Sequence, residues 1–68
     1  MGILAKCINP SKTLTKNKHY EVTMLREIWS MGQIYVEYDV TKENVDRLQL
    51  ISDTGQKIMC HPNRFLIT

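Results

Sequence analysis

The residues best suited to chemistry in this chain are Cys7, Cys60, His61 and His19. Thiolate and imidazole are the usual ligands of structural zinc. Such sites rest on short paired spacings of the C-x2-C kind, and the sequence has none. A cysteine–histidine nucleophile would also need an oxyanion-stabilising turn and a third, orienting group, and neither is identifiable. Core cysteines and surface histidines are the expectation, with no metal, no cofactor and no catalytic residue. Glu37 and Asp39 share a strand face at i, i+2 spacing, but they flank Tyr38 in a charged, solvated hairpin. Nothing there would shift a carboxyl pKa toward acid–base work.

Two other groups carry binding chemistry. Lys12, Lys16, Lys18 and His19 lie on one polar stretch beside Tyr20. Cations for phosphate and a ring for stacking are what a nucleotide or single strand requires, and Lys57 and Arg64 could add to them. Against this, lysines on a loop are ordinary solubilising charge, and Tyr20 is in phase with the core. The second group centres on Trp29, which ends the second strand opposite in phase to Tyr20 and Val22, beside the turn Ser30-Met31-Gly32. That phase exposes Trp29 near Met31 and Tyr35, the composition of a protein-binding hot spot. The competing placement is a bulge that returns the indole to the core.

These groups need a scaffold, and 68 residues provide for one domain, 1–68, with a thin core. A hydrophobic fraction of 43% and a charged fraction of 24% are those of a globular chain. The longest apolar runs are too short for a membrane span, and residues 1–7 contain no apolar signal region, so a cytoplasmic protein is expected. Two cysteines are too few for a disulfide scaffold. The net charge of +2 is unevenly spread: residues 1–26 carry +4 and residues 27–53 carry −4. A basic end and an acidic middle are compatible with an anionic ligand at one end.

Along the chain, Ile3–Ile8 reads as a strand closed by Asn9-Pro10. Residues 9–19 form a polar loop with Leu14 as its one large apolar residue, expected to be pinned to the core. Tyr20, Val22, Met24 and Ile28 alternate with Glu21, Thr23 and Glu27, while Arg26 and Leu25 break the phase and suggest a bulge or register change. Gln33–Tyr38 alternates again. A short helical turn fits Thr41–Val45 before a strand at Arg47–Ser52. Asp53-Thr54-Gly55 suits a hairpin connection with Gly55 left-handed, leading to Gln56–Cys60. His61-Pro62-Asn63-Arg64 turns into a last strand at Phe65–Ile67. Five or six short antiparallel strands without a long helix predict an all-β barrel, because closure removes exposed edges.

Three segments together resemble a known group. Leu14-Thr15-Lys16-Asn17-Lys18-His19-Tyr20-Glu21-Val22 is similar to the "LTxGKxYEV" segment of small SH3-like barrels common in phage and bacterial genomes, with Asn17 replacing the usual glycine. Arg47–Gly55 resembles their distal hairpin, and His61–Phe65 their terminal "P..RF" turn. The resemblance implies an SH3-like barrel and a phage or mobile-element origin, not an activity. Met24–Asp46 is longer than that pattern and is where a particular function would reside. The expectation is a non-catalytic module of phage type that binds and modulates a host protein through Trp29, Met31 and Tyr35, a homodimer through the same patch being a subsidiary form. The alternative is nucleic-acid or nucleotide binding by the Lys12–His19 loop.

Overall fold

The computed structural model describes residues 2–67; Met1 and Thr68 of the expected 1–68 domain lie outside the described residues. Six strands form in the order β1 (Ile3–Cys7), β2 (His19–Ser30), β3 (Gln33–Tyr38), β4 (Arg47–Ile51), β5 (Lys57–Cys60) and β6 (Phe65–Ile67), with a 3-10 turn at Pro62–Arg64. They make one antiparallel sheet in the order β5-β4-β2-β1-β6, and β3 pairs with β2. Among the described residues no helix is long and apolar enough to cross a membrane.

The sheet is not closed, which corrects the expected SH3-like barrel. Among the described residues, β5 pairs only with β4 and β6 only with β1. The segment between them explains why. Pro62 has no N–H, the Arg64 N–H returns to the His61 carbonyl (3.2 Å), and the Asn63 N–H donates to His61 Nδ1 (3.2 Å). Donors that could have sealed a seam are used locally. β2 is also drawn away from the sheet along its second half, where its partner is the β3 hairpin. The molecule is elongated accordingly, at 39 × 23 × 20 Å.

One face of each strand still builds a core. Register places Ala5 opposite both Tyr20 and Ile67, Cys7 opposite Phe65, and Leu48 opposite both Met24 and Cys60. Ala5, Cys7, Tyr20, Leu48, Phe65 and Ile67 join Val22 and Leu50 in the buried cluster, against which the partly buried Met24 and Cys60 pack. Tyr20 meets Phe65 edge-on at 5.9 Å between ring centroids. The loop before β2 lids the cluster. Its Leu14 is 4% exposed, and a Ser11–Leu14 bridge folds the loop back on itself. Asn17 carries φ 69°, as its left-handed tolerance allows.

The phase break at Leu25 is a change of partner, not a bulge. Pairing with β3 runs without a skipped residue from Leu25↔Tyr38 to Ser30↔Gln33. Leu25 also opposes Arg47 of β4, so β3 and β4 flank β2 on opposite edges, and Leu25 is buried between them. Residues 41–46 are a turn closed by the Asn44 N–H on the Thr41 carbonyl (3.0 Å), not a helix. The β4–β5 connection is a tight turn: the Gly55 N–H donates to Ser52 (2.9 Å) with Gly55 at φ 86°.

Candidate functional site

The β2–β3 hairpin turns through only two residues, Met31 and Gly32, at φ 50° and 79°. Two positive φ values match the right-handed twist of the flanking strands, which is why a hairpin this tight can form. The count has a large consequence, because a register moved by one residue exchanges the two faces. Trp29 stands opposite Ile34, Glu27 opposite Val36, and Leu25 opposite Tyr38. Directly opposed residues share a face. Trp29, Ile34, Val36 and Tyr38 therefore lie on one side of the hairpin, and all four are substantially exposed, Trp29 at 70%.

Tyr35 lies on the other side, opposite Ile28, with its hydroxyl donating to Gln33 Oε1 (2.7 Å). The expected trio of Trp29, Met31 and Tyr35 is thus split between one face, the tip and the opposite face. Met31 is 99% exposed at the tip. On the Tyr35 side the Arg26 guanidinium and the Glu37 carboxylate face each other across the strands, 3.5 Å apart. Sequence reasoning missed Ile34, Val36 and Tyr38. Their alternation is visible in the sequence, but a three-residue turn at Ser30-Met31-Gly32 puts Tyr35 in phase with Trp29, whereas Ser30 pairs with Gln33.

A groove of about 370 Å³ runs along the other edge of β2, lined by Glu27, Trp29, Val45, Asp46, His61 and Pro62 together with Arg47. It arises because β4 begins only at Arg47, leaving β2 unpaired on that edge beyond Leu25. The Leu25 carbonyl accepts from the Asp46 N–H (2.9 Å), and the Glu27 N–H donates to Asp46 Oδ2 (3.1 Å). Asp46 thus caps the edge with its side chain where a strand would otherwise continue.

The cations expected to bind anions are dispersed. Lys18 Nζ is 2.7 Å from Asp53 Oδ1 and 5.0 Å from the Tyr20 ring centroid. Asp53 also accepts from Thr15 Oγ1 (2.7 Å) and the Tyr20 hydroxyl (2.8 Å), and that hydroxyl accepts from the Thr15 N–H (2.8 Å). The Lys18 ammonium, then the two hydroxyls, hold the Asp53 carboxyl down at about 2, while Asp53 raises Lys18. This is a latch between the basic loop and the Ser52–Gly55 turn. The Arg64 guanidinium donates to the carbonyls of Asn9 (3.2 Å) and Pro10 (3.4 Å). Lys12 and Lys16 stand exposed on the loop, His19 is exposed opposite Lys6, and Lys57 belongs to β5. No single face gathers all six.

Cys7 is buried and Cys60 half-buried, both as free thiols, and burial pushes the Cys60 thiol up. Among the described residues no three His, Cys, Asp or Glu side chains come together as a metal-binding group.

Fold and site together define a small open-sheet β protein with an apolar, projecting hairpin. No protein-family model, curated protein or solved structure matches the chain. The resemblance to phage and bacterial barrels therefore rests on the three sequence segments alone, and the open sheet removes its main structural implication. A phage-type, host-modulating role drawn from that resemblance has no support here.

Proposed function

We propose that the chain is a non-catalytic protein-binding module whose contact surface is the Trp29 face of the β2–β3 hairpin. The observation that carries this reading is the hairpin register, which collects Trp29, Ile34, Val36 and Tyr38 on one exposed face. Isolated surface apolar residues are normal, but a contiguous aromatic and β-branched patch on a projecting element is the composition of an interface core. Met31 adds a second, independent support. It occupies a left-handed position that asparagine or glycine would fill with less strain, and its side chain points wholly into solvent. A local rule broken without an internal compensating contact fits a residue kept for an external one. The free thiols fit a cytoplasmic, reducing setting.

The test is Trp29→Ala, with folding checked by circular dichroism and partner capture compared with the unaltered protein. Loss of capture with retained fold supports the assignment. Unchanged capture overturns it.

A further inference from the structure

We infer that the groove beside β2 takes an extended, positively charged peptide segment of the partner, added as a strand to the open edge of β2. The inference rests on the protein-binding reading above and names the form and charge of what is bound.

Backbone direction alternates along a strand, so the groups of Leu25, Glu27 and Trp29 face the same edge. Asp46 holds one group of each of the first two: the Leu25 carbonyl through its N–H and the Glu27 N–H through its carboxylate. At Trp29 the alternation directs an N–H and a carbonyl to that edge, and among the described residues no strand lies there. An open edge beside a groove is the geometry of strand addition, in which main-chain hydrogen bonds supply affinity and side-chain contacts supply selection. The groove shares Val45, His61 and Pro62 with a second one of about 390 Å³ that reaches Leu66 and Ile67. There the Lys42 ammonium donates to the Ile67 carbonyl (3.2 Å), so the basic side chain of the occupant belongs in the first groove. Two grooves joined through shared lining residues suit an extended chain better than a compact small molecule.

Charge selects the occupant. The Glu27 carboxylate has no cation paired with it among the described residues, and the Asp46 carboxylate accepts only the Glu27 N–H. Arg47, the groove's one permanent cation beside them, donates to the Asp46 carbonyl. An arginine or lysine laid here would meet carboxylates and the exposed face of Trp29, a cation–π partner. The Glu27 and Asp46 carboxylates that line the groove steer a basic peptide in.

Three pools of N-acetylated, C-amidated random nonapeptides, with the central residue fixed as arginine, serine or glutamate, provide the probe. The arginine pool is expected to be retained on the immobilised protein at least about tenfold over the glutamate pool. Glu27→Lys is expected to erase or reverse that preference. In amide hydrogen exchange the Trp29 N–H gains at least about tenfold protection with the arginine pool, because strand addition hydrogen-bonds it. Retention without charge preference, an unprotected Trp29 N–H, or retention replaced by concentration-dependent self-association each overturns the inference. Failure here with capture still lost in Val36→Ser leaves the hairpin-face reading standing, since Val36 is on the apolar face and not in the groove.

Discussion

Replacing Leu14 by alanine tests whether a polar loop is truly part of the core. Leu14 is the one large apolar residue between Pro10 and His19, yet it is 4% exposed and packs in the buried cluster. Truncating a buried leucine removes transfer free energy and leaves a cavity, together about 2–5 kcal/mol. A loop can settle inward more readily than a strand, which places Leu14→Ala near the lower end, at about 2–3 kcal/mol. A chain of 68 residues has a total stability of about 3–10 kcal/mol, so the loss is a large share of it. With a urea m-value of about 1 kcal/mol/M for a domain this small, the midpoint falls by roughly 2–3 M. Leu66→Ala, at a half-exposed β6 position, is the control and shifts it by less than about 1 M. Equal shifts for the two variants in urea denaturation followed by tryptophan fluorescence would refute the core lid. Polar ties, such as Asn17 N–H to the Cys7 carbonyl (2.7 Å), Asp53 N–H to the Thr13 carbonyl (2.9 Å) and the Asp53 latch, would then hold the loop without its leucine.

Four other outcomes follow from single features. Asp53 has a folded pKa below its unfolded value, so its stabilising contribution is present above about pH 4 and is lost as pH falls toward about 2. Acid titration of Asp53→Asn, monitored by circular dichroism, should lack that component, whereas an unchanged acid profile contradicts the latch. Lys18 is shifted upward, so its share is full below pH 10.5 and disappears above that value. Met31→Asn should stabilise the fold by about 0.5–1 kcal/mol in urea denaturation by relieving a left-handed φ, and a destabilised variant would contradict the turn geometry. Gly55→Ala should cost about 1 kcal/mol from its φ of 86° alone, because an added Cβ meets only open space.

What was legible in the sequence was local. Gly55, Pro62 and Asn17 announce their turns because each requirement is met within a few residues. Leu14 stood out as an apolar residue in a polar run. Closure was not legible, since it depends on whether β5 and β6 meet across the molecule, and their short lengths and the donors used by the Pro62–Arg64 turn decide against it. The binding face was missed by one residue of turn length. Met31-Gly32 lacks the Asn-Gly signature of a two-residue hairpin, so the sequence reads as a turn that includes Ser30, although Ser30 pairs with Gln33. That single step moved Tyr35 onto the Trp29 face and removed Ile34, Val36 and Tyr38 from it.

The hairpin register makes the most direct test of the account a comparison across its two faces. A partner recovered by capture is titrated by calorimetry against the unaltered protein, Val36→Ser and Tyr35→Ser. Val36 and Tyr35 are adjacent and similarly exposed, and differ in the side of the hairpin to which they belong. At least a tenfold loss of affinity, about 1.4 kcal/mol, is expected for Val36→Ser, and less than about a twofold change for Tyr35→Ser. Equal losses, or a loss confined to Tyr35→Ser, would contradict the Trp29 face as the contact surface.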